Sequence, residues 1–389
     1  MIRTLCISNY RSLLKLAIPM GGLNVITGAN ASGKSNLYRA LRLLAGTATG
    51  NVVPALAAEG GLASTFWAGP EKLSRLMKRG EAPIQGGPRQ KAARLRLGFA
   101  SDDFGYSISL GVPTPSSSFF SLDPEIKREC IWAGQLYRPA SLLVDRNGPV
   151  TRLRADQSWE VVSRHTQAFD SLFGQISDPV RAPEVFTLRD SIMAWRFYDH
   201  FRTDAEAPAR IPRLGTRTPV LSHDGSDLAA ALQTILEVGD AMAMQESIAD
   251  AFPGGELSIS RQEDGRFAIE FFQEGLLRPL GASELSDGTL RYLLWVAALM
   301  TPRPPPLMVL NEPETSLHPD LLPALARLVI QASHRTQVWV VSHSPRLIAA
   351  LEKSTNCQSL MLEKRLGQTL LVGQTLLDTP PWHWPDEGK

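Results

Sequence analysis

An α/β fold organised around a phosphate-binding core is what this sequence predicts, and three observations carry that prediction. The β-branched run LNVIT, residues 23–27, leads through a glycine-bearing loop into an apolar helical stripe. From Glu284 onward the pattern reads loop, helix, strand, helix, strand, helix. Between these stretches, alternating segments pair as hairpins and add antiparallel β structure to the core.

The chain has 389 residues, enough for one large domain or two lobes. Hydrophobic residues make up 43% and charged residues 20%, the balance of an ordinary globular protein. The net charge of +1 gives no global attraction to nucleic acid or membrane, so any basic surface must be local. Cys6, Cys130 and Cys357 form no C-x-x-C pair and no zinc spacing; they read as small core residues in a reducing cytoplasm. The first residues lack the apolar stretch of a signal peptide, and no run of about 18 apolar residues predicts a membrane span.

Taken in order, Leu5 and Ile7 alternate with polar residues in a short opening strand, and residues 23–27 form a buried strand ended by Gly28. The stripe Leu37, Ala40, Leu41, Leu43, Leu44 is a helix closed by Gly46. Residues 59–70 read as a turn-rich insert, and 93–112 as a hairpin about Asp102-Asp103. The stretch 111–119 is a loop. Residues 202–226 form a long loop bearing proline and arginine, residues 227–252 read as strongly helical, and 256–275 as a second hairpin. The predicted division is 1–155, an N-terminal lobe with the phosphate loop and hairpins; 156–300, a helical lobe; and 301–389, the C-terminal part of the core. There is no internal repeat and no heptad array.

Four segments carry chemistry. GANASGKS, Gly28 to Ser35, fits G-x-x-x-x-G-K-[ST]: its glycines let backbone N–H groups turn toward phosphate oxygens, Lys34 reaches the outer phosphates, and Ser35 ligates Mg²⁺. LMVLNEPETSLHP, from Leu307, is an apolar strand ending in Asn311-Glu312. A carboxylate at such an edge polarises the attacking water, which assigns Glu312; its bland alternative is a cap for the helix near Pro319. Asn311 stands where such strands usually carry Asp, so it can accept from a metal-bound water but brings no charge. Glu314 reads as solvated. QVWVVSHSP ends a further apolar strand in His343, placed to meet a γ-phosphate or the water. ELSDG puts Ser286 and Gly288 at the start of an apolar helix, as an anion site or an ordinary N-cap.

In this order the motifs resemble the ABC-type ATPase heads of the SMC, RecF and OLD-like class, with a P-loop NTPase core, an antiparallel β subdomain and a helical signature lobe. ISNYRSL resembles the opening strand of these heads, GLASTFWAG the segment after their first helix, and NEPETSLHP is nearer to this branch than to transporter subunits. The chain is similar to RecF-like ATPases of the AAA family, some of which act in DNA repair or phage defence. The resemblance implies that Gly28, Asn30, Gly33, Lys34, Ser35 and Asn36 bind ATP and Mg²⁺, with Asn311 beside the metal and Arg11 near the nucleotide. It also implies that Ser286 and Gly288 meet the γ-phosphate held by a second copy, and that His343 is the switch histidine. Ser316, Leu317 and His318 would line the seam of a head-to-tail homodimer. A metal-completing glutamine is expected, with Gln135 and Gln175 as candidates.

Two functions follow from the resemblance. One is a slowly hydrolysing ATPase that dimerises around ATP and acts on DNA, with Arg202, Arg210, Arg213 and Arg217 as a local phosphate surface. The other is an ATP-gated scaffold or sensor that controls a separate effector protein without touching DNA. The 46 residues after His343 are too few for the nuclease domain of OLD-type nucleases, so an effector is expected on another chain.

Overall fold

The computed structural model describes residues 1–70, 74–79, 81, 93–115, 117–156, 158–375 and 377–386. Two compact units emerge: Met1–Met20, Gly28–Ala194 and Leu360–Lys389 in one, Gly21–Thr27 and Trp195–Ser359 in the other.

In the first unit β1 (Ile2–Tyr10) and β2 (Leu13–Pro19) pair through a tight turn. The next strand, β3 (Leu23–Gly28), belongs to the second unit except for Gly28, which opens the loop into α1 (Lys34–Thr47). Helix α1 buries Leu37, Leu41 and Leu44 along one stripe. It runs through Gly46 and ends at Thr47, one residue beyond the predicted stop. The Gly46 φ stays helical, and the chain folds back only at Asn51, whose N–H donates to the Gly46 carbonyl. Residues 59–70, predicted as turns, include a helix. α2 (Val52–Ala58) precedes them and α3 (Gly61–Thr65) forms within them; Leu56 and Leu62 each find the core. A short α4 (Arg75–Arg79) follows.

The antiparallel part comprises β4 (Arg94–Ser101), β5 (Phe104–Gly111), β6 (Glu125–Ala133), β7 (Leu142–Asn147), β8 (Val150–Ala155) and β9 (Ser158–Ser163). With β1 and β2 they make one eight-stranded sheet, order β2-β1-β4-β5-β6-β7-β8-β9. The predicted hairpin about Asp102-Asp103 is its β4–β5 turn. An ion pair is sealed in this unit: Arg146 Nη1 lies 3.2 Å from Glu129 Oε2, both side chains fully buried. Burying both charges is tolerable because Glu129 also accepts from Tyr106, Ser171 and the Leu172 N–H, while Arg146 donates to the Gln167 and Asp170 carbonyls. These bonds seat α5 (Leu172–Gln175) and precede α6 (Pro183–Met193). Cys6 and Cys130 are buried, as expected, and burial raises both thiol pKa values.

The second unit is built on parallel strands. β10 (Arg196–Tyr198) is short; after it come β11 (Arg213–Leu214), α7 (Leu228–Val238) and α8 (Ala241–Ala251). Residues 227–252 are therefore two helices. The break falls at Gly239, where a Cβ would sit 2.9 Å from the Ile235 carbonyl oxygen, and Asp240 caps α8 by accepting from Ala243 N–H at 2.9 Å. β12 (Glu256–Arg261) and β13 (Arg266–Phe272) form the second predicted hairpin, edged by β14 (Leu280–Gly281). Then come α9 (Asp287–Leu299), β15 (Leu307–Asn311), α10 (Leu322–Ser333), β16 (Gln337–Val341) and α11 (Pro345–Leu351), in the predicted order. From Leu290 helix α9 is apolar on every face except at Arg291, and it is buried to match. The parallel strands run β10-β15-β16-β3, with Tyr198 opposite Leu310, Asn311 opposite Val341, and Val341 opposite Ile26. Asp199, Asn311, Ser342 and Thr27 thus leave the strands at one edge. The chain returns to the first unit as the hairpin of β17 (Cys357–Arg365) and β18 (Gln368–Leu371). Among the described residues no helix is long and apolar enough to cross a membrane.

Candidate functional site

The glycine loop in the first unit has the shape its spacing demands. Gly28 has φ +140° and Gly33 φ +112°, both in the positive-φ region that side-chain-bearing residues rarely adopt. Neither has room for a Cβ: at Gly28 it would lie 2.3 Å from the Leu362 carbonyl oxygen, at Gly33 2.1 Å from Thr369 Oγ1. Thr369 is fully buried beneath the loop. Its Oγ1 donates to the Ser32 carbonyl at 2.8 Å and meets Ser12 Oγ at 2.7 Å, and Ser12 Oγ accepts from Asn36 Nδ2 at 2.8 Å. Asn36, expected at the nucleotide, therefore reaches down into the support of the loop. Asn30 and Ser35 are exposed on its outer side. Lys34 Nζ folds back onto the Gly28 and Ala29 carbonyls at 2.5 and 3.0 Å. Ser32 Oγ is buried with no hydrogen-bond partner among the described residues, an orphan that a bound anion's surroundings would explain. Arg11 is held by Glu59, Nη2 to Oε2 at 2.8 Å, and its N–H donates to the Thr65 carbonyl.

The strand edge of the second unit carries the acids. Glu312 follows β15 with φ +51°, a left-handed conformation that costs an ordinary residue roughly 1–3 kcal/mol and is held by Glu312 N–H donating to the Val341 carbonyl at 2.8 Å. That twist turns its carboxylate to His343: Oε1 accepts from Nε2 at 2.7 Å, with both side chains nearly half exposed. Glu312 does not cap the following turn; His318 Nδ1 does, accepting from Asp320 N–H. Glu314, expected to be solvated, is a clamp instead. Its Oε1 accepts from Ser342 Oγ at 2.6 Å, His343 N–H at 2.8 Å and Ser344 N–H at 3.1 Å, so it fixes the turn that presents His343. Asn311 Nδ2 lies 3.5 Å from Asp199 Oδ1 on the adjacent strand end.

Ser286 caps α9, its Oγ accepting from Thr289 N–H at 3.1 Å. It is exposed, and beside it a Cβ on Gly288 would lie 3.6 Å from the Ser316 carbonyl oxygen, so the Ser316 turn, itself at φ +61°, abuts the helix start. Gln135 and Gln175 both lie in the first unit: Gln135 donates weakly to Asp102, and Gln175 closes the 167–175 turn. The residue beside Asn311 at the edge is Asp199, which nothing in the sequence flagged because β10 is only three residues long. Of the arginines assigned to a nucleic-acid surface, Arg210 is buried and wholly engaged within the protein, and Arg202 pairs with Asp204 at 2.7 Å. Arg213 and Arg217 remain exposed.

Parallel strands ending in these acids, a glycine loop ahead of α1, a large antiparallel sheet and a capped helix α9 give the chain the mixed α/β fold of ABC-type ATPase heads. The chain belongs to the family described as "AAA domain, putative AbiEii toxin, Type IV TA system", whose model matches residues 23–349. No curated protein matches it. Among solved structures, an SMC head bound to the C-winged helix domain of ScpA is similar over 97% of this chain and 98% of its own, at 14% identity and TM-score 0.50. An SMC head domain from Thermotoga maritima matches at 16% identity over 95% and 98%, TM-score 0.48. An Smc head with an extended coiled coil bound to the C-terminal domain of ScpA, derived from Pyrococcus furiosus, matches at 13% identity over 95% of each chain, TM-score 0.47.

Proposed function

We propose that this chain is an ATP-hydrolysing head that closes as a head-to-tail homodimer around ATP. The observation that carries the reading is the 2.7 Å bond between Glu312 and His343 at the parallel strand edge. A carboxylate accepts only, so His343 Nε2 carries the proton and donates to Oε1. Glu312 Oε2 is left to accept a proton from a water aligned on the γ-phosphorus. The water oxygen forms the new P–O bond as the bond to the bridging β–γ oxygen breaks and its electron pair leaves on ADP. In the first unit, backbone N–H groups of Gly28–Ser35 and Lys34 Nζ hold the phosphates, Lys34 exchanging its two carbonyl partners for phosphate oxygens. Mg²⁺, which the Ser35 hydroxyl would help hold, would supply charge compensation to the phosphates. The donor chemistry suits it: an exposed Ser35 hydroxyl, phosphate oxygens and water are oxygen ligands that magnesium takes.

Asn311 takes one charge from the metal edge, so turnover is slow. Phosphate release should be measurable with the native protein and should fall by about 10²–10⁴-fold in Glu312→Gln, the usual worth of a general base. Equal rates in the two proteins overturn the assignment.

A specific observation favours a second reading of what the head acts on. With Arg210 internal and Arg202 paired, the arginine surface for DNA shrinks to Arg213 and Arg217, on a chain of net charge +1. The family description speaks of a toxin in a TA system, and one similar SMC head is bound to a separate protein domain. An ATP-gated head that controls another protein is supported by these points. DNA binding that rises with ATP and falls with salt favours the DNA reading, as in repair or phage defence; co-purification of a protein without it favours the effector reading.

A further inference from the structure

The start of α9 holds an electrostatic contradiction. A helix N-terminus attracts anions through its unpaired N–H groups and dipole, yet the first residue of α9 is Asp287, whose carboxylate would repel a phosphate. Asp287 is 60% exposed, so it faces whatever approaches. Beneath it lies Arg210, its side chain only 7% exposed, with Nη2 donating to Asp287 Oδ1 at 2.7 Å.

Arg210 does more than neutralise. Nη1 donates to the Ala282 carbonyl at 2.7 Å and the Leu285 carbonyl at 2.8 Å, the two ends of the turn that delivers Ser286. Nε and Nη2 donate to the Thr203 carbonyl at 3.1 and 2.7 Å, and Nε also to the Asp204 carbonyl at 3.0 Å. The planar guanidinium fork thus spends its donors on a single turn and on the segment that follows β10. One turn into α9, Arg291, 3% exposed, ties the same helix to the Phe201 carbonyl at 2.7 Å and the Thr315 carbonyl at 3.0 Å.

We infer that Arg210 is a positioning residue for the signature turn: it fixes the backbone from Ala282 to Asp287 and cancels the Asp287 charge, so that Ser286 and the first N–H groups of α9 accept the terminal phosphate of a nucleotide held by a second copy. This rests on the dimer reading above. It predicts a split. Arg210 is irrelevant to nucleotide binding by a lone chain and necessary for the ATP-bound pair.

The test is a double-mutant cycle in the Glu312→Gln background, using Arg210→Gln, Asp287→Asn and both. Two quantities are read: the affinity of the monomer for a fluorescent ATP analogue, and the dimer dissociation constant with ATP and Mg²⁺ by sedimentation. Arg210→Gln should weaken the dimer by about tenfold or more while monomer affinity moves by less than about twofold. Asp287→Asn alone should change the dimer by less than about threefold, and the double variant should regain part of the loss, because the unmasked carboxylate is gone. If Arg210→Gln does not fold, Arg210→Lys carries the test: it keeps the charge with three donors in place of five, and should weaken the dimer less than loss of the charge but measurably. A Glu312→Gln protein that stays monomeric with ATP overturns the dimer reading and this role together. A Glu312→Gln dimer that the Arg210 substitution leaves intact, or a loss shared equally by monomer affinity, overturns the role alone.

Discussion

Glu314 holds the backbone of His343, accepting its N–H at 2.8 Å, while Glu312 takes the ring of the same histidine at 2.7 Å. Two acids two residues apart therefore set the position and the orientation of one side chain. Glu314 carries three charge-assisted bonds on one oxygen. Glu314→Ala leaves Ser342 Oγ and two N–H groups without their acceptor and should cost about 2–3 kcal/mol in urea unfolding. Hydrolysis should fall with it, and ATP affinity should hold. Unchanged stability would mean that the clamp is idle.

Thr369 supports the phosphate loop from a strand 337 residues away in sequence. Thr369→Val keeps the volume and removes the hydroxyl, taking its donor from the Ser32 carbonyl and leaving Ser12 Oγ with Asn36 Nδ2 alone. It should cost about 1–3 kcal/mol and weaken binding of a fluorescent ATP analogue. Wild-type affinity in a destabilised protein would show that the hydroxyl serves the fold and not the loop.

How legible all this was depends on distance along the chain. The glycine loop could be read because eight consecutive residues make it, and the late strands because their apolar runs are short and bounded. The placement of Glu312 and His343 just past strand ends could be read because each follows such a run. Thr369, Asp199 and Arg210 could not: their roles arise from contacts across 337, 112 and 77 residues, and none sits in a motif. Glu314 was misread as solvated because its partners lie 28 to 30 residues on, in the turn after β16. Residues 227–252 are helical as expected, but the break at Gly239 was not legible, because the apolar pattern continues there while the backbone does not.

Asn311→Asp would place a second carboxylate 3.5 Å or so from Asp199, the contact its amide now makes. Without metal the two like charges should lower stability by about 1 kcal/mol or more. With ATP and Mg²⁺ the added charge should tighten metal dependence, so the variant gains more thermal protection from Mg²⁺ than the native protein does. Equal gains would indicate that this edge does not face the metal.

Glu284 precedes the signature turn. A hydrogen bond from Arg278, followed by one from the Gly281 N–H, pulls its carboxyl down to about 2 from an ordinary value near 4.5. Since the folded value is the lower one, the contribution is present above the unfolded value and is lost as pH falls from there through about 2. An NMR titration should place its midpoint near 2, and Arg278→Ala should raise it toward the ordinary value. A midpoint near 4.5 in the native protein would show the pair to be open in solution.

The central claim is that two copies of the chain share each nucleotide. Light scattering of Glu312→Gln with and without ATP and Mg²⁺ tests it most directly. The account predicts a mass near 42.6 kDa without nucleotide or with ADP, doubling with ATP and returning to the monomer when Ser286→Arg blocks the helix start. A mass indifferent to ATP, or a doubling that Ser286→Arg leaves in place, would contradict it.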